Sequence, residues 1–158
     1  MKTGAVISDC GLYRYRLERR WGIGPAMGFV MLNPSTADAN LDDPTIRRCI
    51  GFAKREGCDA LMVVNLFAFR ATDPKNLPAD QTDAIGPFNL AHIQVAVDVI
   101  KGPLVAAWGA HKVANKIAGV ITHHFGHRLM CLGKTKDGCP RHPLYVKADA
   151  PLIPFGAA

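Results

Sequence analysis

The feature that most constrains this chain is the alternation of short, largely apolar runs with stretches of helical period. Gly28–Leu32, Ala60–Phe67, Leu104–Trp108 and Arg128–Leu132 carry almost no polar interruption, which is the mark of strands buried on both faces. Between the first two runs, Asp43-Pro44 opens a helix, with aspartate as N-cap and proline at the first helical position. Ile46, Cys49, Ile50 and Ala53 keep helical spacing until Gly57 stops it. Asn89 to Ile100 and Ala110 to Phe125 supply two further helical patterns. Strands alternating with helices need right-handed crossovers and a parallel sheet covered on both sides. The expected fold is therefore α/β, a three-layer α/β/α sandwich around a central, mainly parallel four-stranded sheet. Ahead of it, the polar–apolar alternation of Tyr13-Arg14-Tyr15-Arg16-Leu17-Glu18-Arg19, with Val6-Ile7-Ser8 across Asp9-Cys10-Gly11, predicts an N-terminal antiparallel hairpin. The 158 residues contain no repeat, low-complexity segment or internal linker, so residues 1–158 are read as a single domain.

Composition narrows the function classes. With 49% hydrophobic and 20% charged residues the chain is an ordinary globular protein. No apolar run approaches the roughly 20 residues that span a bilayer, and the N-terminus lacks a signal-peptide core, so no membrane partner and a cytoplasmic location are expected. The five cysteines are an odd number with no C-x-x-C pair, which argues against a disulfide framework or a standard zinc site. A net charge of +6 favours a polyanionic partner, a nucleic acid or a nucleotide, without requiring one. The plain alternative is that the arginines and lysines form a solvated surface.

In open α/β sheets, ligands sit in the crevice outside the carboxyl ends of the strands. Four polar features fall at such ends: Asn33-Pro34-Ser35-Thr36, Asn65, Trp108-Gly109 and Arg141-His142-Pro143. Parallel strands bring those ends to one edge, so these residues are expected to share one pocket. Asn33, held extended by Pro34, can aim its amide outward; as a turn residue it needs no ligand. Asn65 lies in an apolar run, where an unpaired amide is costly unless backbone or a ligand edge satisfies it. His142 sits in a rigid loop and is either an exposed loop residue or part of the site. Asp38 and Asp42 are free to bind a cation or position water, whereas Asp43 is most simply the N-cap. Arg47 and Arg48 stand where cations oppose the helix dipole, which points to an ion pair with Asp42 or Asp43 or to an anion. Arg70, after the second strand, can reach a phosphate. Phe67 and Phe69 are core residues by default, although one of them can stack on a base. The segment from Phe69 to Pro87 is too long for a simple connection and is a functional candidate.

Several blocks resemble a bacterial and phage family of unknown function: Leu32-Asn33-Pro34-Ser35-Thr36-Ala37-Asp38, Asp42-Asp43-Pro44-Thr45-Ile46-Arg47-Arg48, Val64-Asn65-Leu66-Phe67-Ala68-Phe69-Arg70-Ala71-Thr72 and His142-Pro143-Leu144-Tyr145. Met31-Leu32-Asn33-Pro34, Val64-Asn65-Leu66 and His142-Pro143 also resemble, in the same order, three motifs of the uracil-DNA glycosylase superfamily. That resemblance implies a uracil-DNA glycosylase-like fold and hydrolysis of an N-glycosidic bond without a cofactor. Asn33 would then position water, with help from Asp38 or Asp42, and Asn65 would read the base. Phe67 would stack on the base, and His142 would stabilise it as it leaves. Pro34, Ser35, Thr36, Arg47, Arg70 and Arg141 would contribute to substrate binding. The chain departs from the superfamily pattern in having Met31 where glycine is usual, and Asn33 where the most active members have aspartate. Two other readings stay open: a module that binds a nucleotide or modified base without cleaving it, and a metal-dependent hydrolase using the acidic loop.

Overall fold

The computed structural model describes residues 1–35 and 37–156. Strands β1 (Lys2–Ile7) and β2 (Arg14–Arg20) form the N-terminal hairpin. Strand β3 (Ala26–Met31) leads into helix α1 (Pro44–Arg55), and β4 (Ala60–Asn65) into the short α2 (Gln81–Ile85) and then α3 (Asn89–Val99). Strand β5 (Leu104–Ala106) precedes α4 (Asn115–Phe125), and β6 (Leu129–Cys131) precedes the two-residue β7 (Ile153–Pro154). The expected four-stranded sheet is the parallel heart of a larger one. The sheet has seven strands in the order β1-β2-β4-β3-β5-β6-β7, and β4, β3, β5 and β6 run parallel. The hairpin joins one edge because β2 pairs antiparallel with β4, and β7 closes the other edge against β6. A hairpin whose inner strand exposes free N–H and C=O groups beside β4 gains a full ladder by docking there.

Period 2 divides each central strand between two cores. Met27, Phe29 and Met31 of β3 pack with Ile46, Cys49, Phe52 and Ala53 of α1. Val30, with Val64 and Ala106, packs with Ile93, Ala96 and Val97 of α3 and with Ile117 and Ile121 of α4. Gly28 is the close-approach point, since a Cβ there would lie 2.4 Å from Ile100 Cδ1. The chain passes from β3 to its neighbour β4 in one direction, then reverses across β3 to reach β5. Crossovers of one hand therefore place α1 on one face and α3 and α4 on the other. The reversal also creates a topological switch point between β3 and β5, where an open sheet leaves a crevice.

Two helical boundaries differ from the sequence reading. The helix expected from Ala110 begins at Asn115, after a 3-10 turn over Lys112–Ala114. The long Phe69–Pro87 segment is largely folded, because Asp73 caps a 3-10 turn at Pro74–Asn76 and Asp80 caps α2.

Candidate functional site

A cavity of about 810 Å³ opens at the carboxyl ends of β3, β4 and β5, within the roughly 300–1,000 Å³ usual for small-molecule sites. Asn33, Asn65 and His142, 109 residues apart at the extremes of the sequence, line it together. Asn65 ends β4 and is only 1% exposed. Its carbonyl is gripped by Asn89 Nδ2 at 2.8 Å, and Leu66's carbonyl by the same group at 3.1 Å. Asn89, wholly buried at the start of α3, thus fixes the backbone that carries Asn65. Among the described residues, the Asn65 Nδ2 has no hydrogen-bond partner. A buried, unpaired amide costs free energy in the empty protein and is ready to pair with a ligand.

Asn33 is already partly committed. Its Nδ2 donates to the carbonyls of Ala71 at 2.7 Å and Pro34 at 3.1 Å, tying the loop after β3 to the loop after β4. Two donated bonds fix the amide's orientation and leave Oδ1 as an acceptor for water or ligand. His142 Nδ1 accepts from the Leu144 N–H at 3.2 Å, capping the 3-10 turn over Pro143–Tyr145. The neutral ring therefore carries its proton on Nε2 and is a donor there. Burial holds the His142 pKa below the ordinary histidine value, with partial compensation from Asp43. The loop is clamped from α1, where Arg48 Nε donates to the Pro143 carbonyl at 3.2 Å and Nη2 donates to that of Val146.

Two residues enter the site that sequence reasoning had assigned elsewhere. Asp43 caps α1 by accepting the Ile46 N–H at 2.9 Å, and it also lines the cavity. It is the carboxylate present there. Arg14, one of the polar residues in the alternation that predicts the hairpin, is 3% exposed and lines the same cavity. Burial brings its guanidinium down to about 10, still cationic at neutral pH. The remaining wall includes Ser35, Thr72, Trp108, His111 and Thr135, with Arg141 and Tyr145 exposed at the rim.

The other expected residues lie elsewhere. Phe67 is completely buried among Leu66, Ile93 and Trp108 and cannot stack on a ligand. The aromatic rings on the cavity are Trp108, edge-on to Phe155 at 5.4 Å, and Tyr145, which is 79% exposed. Asp42 is not free: its carboxylate receives Arg19 Nε at 2.7 Å. Asp38 accepts the N–H groups of Asn40 and Leu41, both at 2.8 Å, which hold its carboxyl below the usual range. Arg47 donates to the Asp42 backbone carbonyl at 2.9 Å rather than to a carboxylate. Pro34, Arg47, Arg70, Asp38 and Asp42 do not line the cavity. Thr36 lies outside the described residues. Among the described residues, no three His, Cys, Asp or Glu side chains are grouped to hold a metal ion, and no helix is long and apolar enough to cross a membrane.

Residues 14–144 match the model of the family described as "Protein of unknown function (DUF1643)". The chain belongs to that family. No curated protein and no solved structure matches it.

Proposed function

We propose, for this member of the family, that the cavity binds a nucleobase with its attached sugar and hydrolyses the N-glycosidic bond between them. The observation that carries this reading is the Asn65 amide, sealed from solvent on the cavity wall with Nδ2 unpaired. An amide offers a donor and an acceptor in one plane, which matches the edge of a base. Tyr145 at the rim supplies a face for stacking. In the reaction, water oxygen bonds to the anomeric carbon as the carbon–nitrogen bond breaks, and the bonding pair leaves with the base. Asn33 Oδ1 holds the water. Asp43 takes over the role first given to Asp38 and Asp42, accepting a water proton or opposing charge on the sugar. His142 Nε2–H hydrogen-bonds to the negative charge growing on the base and keeps its proton, and the departing base takes up the proton that the attacking water gives to Asp43.

A second reading, binding without cleavage, draws on Asn33, since an amide takes no proton at neutral pH. One assay separates the two. Purified protein is incubated with nucleosides, mononucleotides and oligonucleotides carrying normal and modified bases, and released base is measured by chromatography. Hydrolysis predicts release from at least one substrate, falling on the order of 100-fold in Asn33→Ala and in His142→Ala. Binding without release by the wild type would leave the module reading in its place.

A further inference from the structure

Two arginines of β2 are buried to nearly the same degree and treated in opposite ways. Arg19, 1% exposed, has every nitrogen engaged. Nε meets Asp42 Oδ1 at 2.7 Å, Nη1 reaches the Glu18 carbonyl at 2.8 Å, and Nη2 reaches the Asp38 carbonyl at 2.5 Å. Among the described residues, Arg14, 3% exposed, makes a single side-chain hydrogen bond, from Nη1 to the Ala37 carbonyl. Its Nε is buried with no partner among those residues. None of the ion pairs among the described residues, taken at 4.0 Å or less, includes Arg14. A guanidinium has five donors, and tethering one carbonyl does not require a charge.

A buried cation that lines a cavity and has no carboxylate at ion-pair distance among the described residues has capacity left for an anion. We propose that Arg14 binds the terminal phosphate of a free mononucleotide, so that the cavity takes a nucleoside monophosphate and not a base flipped out of a nucleic-acid strand. The inference rests on the base-binding reading for the other half of the ligand, while the anion half stands on Arg14 alone. Three observations favour a terminal phosphate over a phosphodiester. Arg14 is 3% exposed and bonded to Ala37 of the loop after β3, so little of its surface is open, which suits a chain end better than a continuing strand. The cavity of about 810 Å³ has room beyond a planar base. Arg141, exposed at the rim with Nε spent on the Lys134 carbonyl at 3.2 Å, lines the same cavity and adds positive potential on the path inward. Arg14 remains charged at neutral pH, because Asp43 and Asp38 offset part of what burial takes away.

The test is calorimetric titration of the wild-type protein with the common 2′-deoxynucleosides, their 5′-monophosphates, inorganic phosphate, and an oligonucleotide without terminal phosphate. Monophosphates are expected to bind about 10- to 100-fold tighter than the matched nucleosides. Inorganic phosphate should compete with them, and the advantage should disappear in Arg14→Gln. Arg14→Lys, which keeps the charge, should retain part of it. Equal affinity of nucleoside and monophosphate in the wild type would overturn the phosphate subsite and leave base recognition intact. Phosphate binding that depends on Arg14, with no preference for any base, would keep the anion site and remove the base reading. Binding of the oligonucleotide above the monophosphate would overturn the free-nucleotide inference, and no binding by any probe would overturn both.

Discussion

The clasp around Arg19 and the cavity around Arg14, Asn65 and Asn33 lie at opposite ends of β2, and their polar groups are used differently. In the clasp, the loop between β3 and α1 closes on Arg19 with one carboxylate and several carbonyls, and no donor nitrogen is left over. In the cavity, Asn65 Nδ2 and Arg14 Nε are buried and unpaired. Folding alone favours the first arrangement and penalises the second. The acidic stretch Asp38 to Asp42 is therefore a fastening that holds the β3–α1 loop, and under the proposed function the two unsatisfied groups on the cavity are where a ligand completes the structure.

The largest expected effect breaks the clasp. Arg19→Met removes the cation while leaving the Asp42 carboxylate and the Asp38 and Glu18 carbonyls unpaired, and should cost about 2–4 kcal/mol in urea unfolding. A smaller contrast sharpens the cavity side. Asn89→Ala loses two bonds to the end of β4 and should cost about 2–3 kcal/mol, whereas Asn65→Ala should cost no more than about 1 kcal/mol. The same Asn65→Ala protein should lose nucleoside affinity by about 10-fold or more, read by titration. Asp43 divides its two roles by substitution. Asp43→Ala should destabilise by about 1 kcal/mol through the lost cap, while Asp43→Asn keeps the cap and stability but loses base release.

The smallest effect concerns pH. Because the folded pKa of His142 lies below its ordinary value of 6.5, the unfolded chain binds the extra proton first as pH falls. Stability from this group is present above 6.5 and is lost as pH drops through the depressed value. Protonation at Nδ1 would also cost the cap on Leu144. Burial lowers His92 in the same direction. His142→Gln should therefore flatten only part of the slope of stability against pH below 6.5, as followed by thermal melts.

Much of this architecture was legible in the residues themselves. The four apolar runs became the four parallel strands, and Asp43-Pro44 became the start of α1. The convergence of Asn33, Asn65 and His142 followed from topology, because parallel strands carry their carboxyl ends to one edge. What escaped were side chains whose role depends on a distant partner. Arg19 is in phase with Leu17, which packs in the α1-side core, a signal that an alternating charged strand conceals. Arg14 is buried by the arrival of Ala37 and Ala68, which no local pattern announces. Phe67 was drawn toward the site by its neighbours in sequence and is held in the core by α3. Asp43 was recognised as a cap, and the cap's second exposure, toward the cavity, required the loop around His142 to be in place.

On the proposal above, the charge of Arg14 is kept for a ligand and that of Arg19 for the fold. Urea unfolding of Arg14→Met beside Arg19→Met, at neutral pH and without ligand, tests it directly. Arg14→Met is expected to stay within about 1 kcal/mol of the wild type, or to exceed it, while Arg19→Met falls by about 2–4 kcal/mol. Equal losses in the two variants would contradict it.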